Sequence, residues 1–216
     1  MEECIEDVKN WMASNRLKMN DDKTEIIFCN AKPGTVPCNV DHMCIGNENI
    51  FFTNKARNLG IYFDCKLSMK HHINHLCKVV YLELRRIGQM SSYLSVASIK
   101  TLVSSFVLSR LDYCNSLFVN LPIETINRLQ RLQNQAARIT LRKPLREHVT
   151  PMLIQLHWLP VKARIEYKTA VLCFKCINNI APSYLRDMLG EYVPSRLLRS
   201  ANKRFLKPVT RPVSVV

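Results

Sequence analysis

An α+β fold, mostly α, is predicted for this chain: a small β-containing N-terminal part followed by a helical bundle. Three observations lead there. From Ser68 onward the apolar residues recur at steps of three and four, the period of amphipathic helices. Before Ser68 the apolar runs are short, β-rich and bounded by Pro and Gly. Five glycines in 216 residues are too few for an all-β chain with many tight turns, or for glycine-rich phosphate loops.

Ile5, Val8 and Met12, with Trp11 beside them, have helical spacing and predict a helix over 3–15. Leu17 to Asn20 turn the chain, and Ile26-Ile27-Phe28-Cys29 suits a buried strand, ended by Pro33-Gly34 and Pro37. Residues 42–53 and 57–63 predict two or three more short strands, with Gly60 allowing a close backbone approach. Met69, Ile73, Leu76, Val80, Leu84 and Ile87 predict one long amphipathic helix ending near Gly88. Ile99, Leu102, Val103, Phe106 and Val107 mark a second helix. Pro122 opens a third, with Ile126, Leu129, Leu132, Ala136 and Ile139 on its apolar face. Thr150-Pro151 reads as N-cap and first turn of a short helix to Leu156, broken by Leu159-Pro160. A further helix is expected over Val161–Asn178, and a turn or two over Ser183–Leu189. The expected division is 1–67, 68–147, 148–192 and a loosely ordered basic tail, 193–216.

Charge is uneven. Residues 1–70 hold 9 basic and 10 acidic side chains, whereas 71–216 hold 22 and 7. A neutral segment joined to a strongly basic one predicts a polyanion as partner of the second, nucleic acid first. The longest run free of Asp, Glu, Lys and Arg, His148–Val161, has 14 residues, too short for a membrane helix, so no membrane partner is expected. Nine cysteines at scattered spacing, and a Met1-Glu2-Glu3-Cys4 start unlike a signal peptide, predict reduced thiols in an intracellular protein.

The third helix carries the sharpest pattern. At 100° per residue Arg128, Arg131, Arg138 and Arg142 fall within about 80° of one another, apart from the apolar face. Such a stripe repels itself unless anions neutralise it, and the guanidinium fork matches phosphate oxygens; a solvated basic face is the alternative. His71, His72, His75 and Cys77 lie close together, and His71/His75 at i, i+4 can share a metal, but no second ligand pair with zinc-finger spacing follows. Cys173 and Cys176 read as small hydrophobes on an apolar helix face. Asp21-Asp22 reads as a turn or N-cap. No Gly-x-Ser-x-Gly, Walker loop or His-Glu-x-x-His is present.

Seven blocks in order over roughly 11–200 resemble reverse transcriptases of non-LTR (LINE-type, jockey-like) retrotransposons. They are Trp11-x-x-x-Asn15-x-Leu17-x-x-Asn20-x-x-Lys23-Thr24-Glu25; Leu59-Gly60-Ile61-x-Phe63-Asp64 with Leu67 and His72-Ile73; and Ser109-Arg110-Leu111-Asp112-Tyr113-Cys114-Asn115-Ser116-Leu117. Leu129-Gln130 with Gln133-Asn134-x-Ala136-Ala137-Arg138 follows, then His148-x-Thr150-Pro151, Leu156-His157-Trp158-Leu159-Pro160-Val161 and Ala181-Pro182-Ser183-Tyr184-Leu185, ending at Leu198-Arg199-Ser200.

The resemblance implies the end of a palm, its primer-grip strands and a helical thumb. It also implies that the fingers, most of the palm and the aromatic-x-Asp-Asp box lie outside this sequence. Family enzymes hold two metal ions on palm aspartates for phosphoryl transfer; Mg²⁺ is therefore expected for a full-length enzyme and no cofactor for this chain, which is expected to be inactive alone. By the same resemblance Lys23 lies near the incoming nucleotide's phosphates, Leu59 and Gly60 form the primer-grip turn, and Arg128, Arg131, Arg138 and Arg142 lie in the thumb. The implied partner is an RNA or DNA template–primer. The family's target, chromosomal DNA, implies a nucleus. The alternative is a stand-alone or vestigial module that binds nucleic acid without regard to sequence and has no enzymatic role.

Overall fold

The computed structural model describes residues 2–20, 23–29, 42–45, 48–190 and 206. The fold is α+β, mostly α. The expectations for Asp21-Asp22 and for the tail other than Leu206 lie outside the described residues.

Helix α1 (Glu2–Ser14) precedes five short strands, β1 (Ile26–Ile27), β2 (His42–Ile45), β3 (Glu48–Thr53), β4 (Lys55–Asn58) and β5 (Ile61–Asp64). α1 is only lightly packed: Ile5 and Met12 are half-buried, while Val8 and Trp11 are exposed. β3 is the centre of a three-stranded sheet, parallel to β1 through Ile26–Phe52 and antiparallel to β2 through Met43–Ile50. The strand expected over Ile26–Cys29 is thus half as long, because β3 gives β1 only two pairing positions.

β4 and β5 form a hairpin in which Asn58 pairs Ile61 across a two-residue turn. Both turn residues have positive φ, Leu59 at 47° and Gly60 at 86°, as a right-twisted hairpin requires. Beyond its chain neighbours no atom lies within 4 Å of where a Cβ on Gly60 would sit, so within this chain the glycine answers a backbone angle and not a close neighbour. Leu59 holds a left-handed conformation that costs an L-residue about 1 kcal/mol. The Tyr113 hydroxyl, 54 residues away, donates to the Leu59 carbonyl at 2.8 Å and fixes the turn against the helical part.

Asp64 closes the hairpin onto the first long helix. Its carboxylate accepts from the Ser68 and Lys66 backbone N–H groups and from the Ser68 hydroxyl. Burial pulls its pKa upward, but these donors and the charge of His71 outweigh burial and hold the carboxyl below its ordinary value.

α2 (Lys70–Met90) buries His72, Ile73, Leu76, Val80, Leu84 and Ile87 on one face. It runs through Gly88, whose added Cβ would meet only Ile139 Cδ1 at 3.7 Å. A 3₁₀ turn (Ser91–Tyr93) leads to α3 (Val96–Val103), capped by Ser95, whose Oγ accepts from Ser98 N–H. α3 passes through a π turn (Ser104–Leu108) into α4 (Ser109–Asp112). The π turn adds a residue to the helical register and brings Val107, Leu108 and Leu111 into the core. Phe106, seven residues after Ile99 and expected on the core face, is rotated out and 45% exposed.

α5 (Ile123–Leu141) is the central helix, packed against α2, α3, α6 (Val149–Leu156) and α7 (Val161–Ile177). It buries Ile126, Leu129, Leu132, Ala136 and Ala137, as the period requires, and also Gln133 and Thr140. α6 is capped at His148, not Thr150; Pro151 sits in its first turn, where a missing N–H leaves no bond unmade. After α7 a turn leads to α8 (Ser183–Arg186). One apolar core runs from Ile61 and Met69 to Trp158, Val161 and Ile165, so hairpin, α2, α5, α6 and α7 share it. No helix among the described residues is long and apolar enough to cross a membrane.

Candidate nucleic-acid interface

α5 presents Arg128, Arg131 and Arg138 opposite its buried residues, but the helix ends at Leu141. Arg142 is its C-cap with φ 54°, so it leaves the helical wheel. The left-handed cap lets the Arg142 and Lys143 N–H groups reach the last-turn carbonyls of Ile139 and Arg138. The stripe is therefore three helical arginines and one at the cap.

Their partners differ from free solvent. Arg128 donates to Asn74 Oδ1 of α2 at 2.9 Å. Arg138 is half-buried and donates from Nη2 to the Glu147 carbonyl at 3.2 Å, while its Nε is buried without a partner. Arg142 donates to the carbonyls of Ser91, at 2.8 Å, and Leu94. Arg131 is exposed and makes no hydrogen bond or ion pair among the described residues. All these acceptors are uncharged, so they orient the guanidiniums without neutralising them.

Arg138, Arg142 and Lys143 line an open cleft of about 590 Å³ with Ser91, Ser92, Gln135, Ile139 and Leu145. Arg131 lies four residues before Gln135 and seven before Arg138, so it continues the same helix face away from the cleft. Lys143 pairs with Glu147 at 3.2 Å, both ends roughly half exposed, a pairing that contributes little. The sequence pattern gave no reason to include Ser91, Ser92, Gln135 or Lys143; the 3₁₀ turn after α2 and the cap of α5 bring them together.

Lys23 is exposed, and its backbone N–H donates to the Asn20 carbonyl at 3.2 Å. Leu59 is 84% exposed at the hairpin tip beside Gly60. The turn meets Tyr113, whereas Arg128, Arg138 and Arg142 bond to α2, the loop before α6 and the turn after α2, respectively, and Arg131 is exposed. The expected residues therefore divide between the hairpin, the N-terminal segment and the α5 cleft.

Two histidines of α2, His72 and His75, have ring partners, and His71 is exposed. His72 is buried against Phe118, ring centroids 5.8 Å apart, and its Nδ1 has no partner; burial and then the charge of His75 lower its pKa. His75 meets the Tyr62 ring edge-on at 5.2 Å, tying α2 to β5. Cys77 is half-buried; burial raises its pKa more than the Arg128 charge lowers it. Among the described residues no three His, Cys, Asp or Glu side chains converge on a point that could hold a metal. Cys176 is buried, Cys173 is half-buried, and both are free thiols.

A second cavity, about 290 Å³, lies between the α4 end and α7, lined by Asp112, Asn115, His157, Leu159, Arg164, Tyr167 and Lys168. Arg164 donates to Asp112 Oδ2 at 2.6 Å and from Nε to the Leu159 carbonyl at 2.8 Å. Gln133 Nε2 donates to that same carbonyl, and Gln130 Oε1 accepts from the Val161 N–H.

Comparison with protein-family models, with curated proteins and with solved structures gives no match.

Proposed function

We propose that this chain is the nucleic-acid-gripping part of a LINE-type RNA-directed DNA polymerase, without the carboxylates that perform catalysis. The observation that carries the binding half is the α5 cleft. Its arginines, Arg138 and Arg142, are fixed by neutral acceptors, and Arg138 keeps a buried Nε without a partner; of the two serines of the facing turn, Ser91 spends its hydroxyl proton on the Gly88 carbonyl and Ser92 adds a hydroxyl. Preoriented cations with uncancelled charge suit a phosphodiester backbone, which offers anionic oxygens at every residue and no sequence information.

The catalytic half of the reading rests on the resemblance. The resemblance assigns two metal ions to an aromatic-x-Asp-Asp box that this sequence lacks, and the described carboxylates do not cluster. The residues present do not fit a two-metal site, so no metal-dependent step is assigned.

The continuous core from Ile61 to Ile165 favours a second reading, a self-standing binding module with no enzymatic role. The two share the binding test, a salt titration of affinity for an RNA–DNA hybrid. Steep loss of affinity with salt supports both, and no binding at low salt removes both. A primer-extension assay then separates them: when this chain restores extension to a polymerase core lacking a thumb, the first reading holds.

A further inference from the structure

We infer that the cavity between α4 and α7 seats one unpaired nucleotide of the bound strand, its base inside and its phosphate at the rim. The inference rests on the nucleic-acid reading above and adds a site distinct from the α5 cleft. Asn115 lines this cavity and is 3% exposed, yet its Oδ1 is buried without a hydrogen-bond partner. An unmet buried acceptor is costly, and a chain that keeps one has a use for it when a donor arrives.

The rest of the lining fits a nucleotide. Asp112 adds a carboxylate acceptor beside Asn115, held in place by Arg164. These two acceptors, the buried Asn115 oxygen and the part-exposed Asp112 carboxylate, suit the exocyclic and ring N–H groups of a base. Tyr167, 63% exposed, offers a ring for stacking. Arg164, Tyr167 and Lys168 share one face of α7 at i, i+3, i+4, so ring and cation flank the same opening. Lys168 and His157 are exposed at the rim, where a 5′-phosphate would lie. The volume, about 290 Å³, is at the small end of ligand cavities, right for a base and too small for a duplex.

The test uses the full chain and three fluorescent RNA–DNA hybrids: blunt, with a short single-stranded overhang, and with the same overhang made abasic. Affinity is read by anisotropy at one fixed salt concentration. The inference expects the normal overhang to bind about tenfold tighter than the abasic one, the gain of stacking and pairing one base. Tyr167→Ala, at an exposed position, should remove most of that gain, and Lys168→Gln should weaken the normal and abasic overhangs alike, both leaving blunt-hybrid affinity unchanged. Asn115→Ala should also remove the gain; because Asn115 is buried, Tyr167→Ala decides if it fails to fold. Equal affinity for normal and abasic overhangs overturns the nucleotide seat and leaves the α5 cleft standing. A base-dependent gain that survives Tyr167→Ala places the base elsewhere and also overturns it, as does a Lys168→Gln chain that binds both overhangs as the wild type does. Base-dependent binding without blunt-hybrid binding keeps the seat and removes the cleft. A nucleoside monophosphate used as competitor separates the sources: tighter binding of the overhang assigns the seat to a strand, and tighter binding of the monophosphate assigns it to free nucleotide.

Discussion

Replacing Arg131 and Lys143 together by Gln probes the cleft without disturbing the fold. Arg131 has no partner among the described residues, and the Lys143–Glu147 pair is half exposed, so stability should change by less than about 1 kcal/mol. Arg128, Arg138 and Arg142 are poor choices because each also ties α5 to a neighbouring segment. Four cations, Arg131, Arg138, Arg142 and Lys143, lie along the cleft and the adjoining face. If each meets one phosphate of a duplex, the slope of log affinity against log salt is about −3.6, at roughly −0.9 per phosphate. Between about 50 and 200 mM salt, affinity then falls about 150-fold. With two cations removed the slope becomes about −1.8 and the fall about 12-fold. Anisotropy titrations of a blunt RNA–DNA hybrid at several salt concentrations measure both slopes. A double variant that melts like the wild type and keeps the wild-type slope would refute the cleft as the grip.

Other consequences of the structure can be checked separately. Limited proteolysis with mass spectrometry should give a protected fragment beginning before β4 rather than at Ser68, because Ile61 is in the common core and Tyr113 holds the Leu59 turn; a fragment starting at α2 would show that the hairpin is not docked. Arg164→Ala removes a 2.6 Å pair to Asp112 and a bond to Leu159, and should cost about 2 kcal/mol, or roughly 4–8 °C in melting temperature. His72, lowered by burial below 6.5, stays neutral in the fold while its unfolded counterpart takes up a proton, so stability should fall as pH drops through about 6.5 and level off below the folded pKa. His72→Leu should lose that part of the pH dependence in melting curves. Purified chain with primer–template, Mg²⁺ and dNTPs should give no extension, and templated extension that survives mutation of Asp21 and Asp22 would overturn the alignment to the family.

Periodic elements were legible and their interruptions were not. The core faces of α2 and α5 follow from spacing because a straight helix repeats its register: Ile73, Leu76, Val80 and Leu84 are buried, as are Leu129, Leu132 and Ala136. The π turn at Ser104–Leu108 leaves no such mark, since an extra residue is invisible in a list of apolar positions until something turns out, as Phe106 does. Arg142 shows the same limit at a helix end. Helical spacing puts it on the stripe only if the helix continues, and the left-handed cap sends it to the Ser91 and Leu94 carbonyls instead. Contacts such as Tyr113 to Leu59 join residues 54 apart and have no local signature. The second cavity was half legible: Asp112, Asn115, His157 and Leu159 all stand in quoted blocks, but only folding places those blocks around Arg164, Tyr167 and Lys168.

That placement bears on what the resemblance can mean. Gln130, Gln133 and Asn134 of one block form a side-chain amide cluster that clamps Leu159 and Val161 of another. Asp112 of a third reaches Arg164 at the start of α7. These residues act as joints between helices, and a chain needs them to assemble this fold whether or not it binds anything. The blocks therefore speak for architecture more strongly than for activity. The functional claim has to rest on side chains that the fold does not need. Arg131, which holds nothing together, is such a residue, and so is Lys168 at the rim of the cavity. If substitution of these two leaves every nucleic-acid affinity unchanged, the blocks describe only how the helices are joined, and the basic surface is solvated charge.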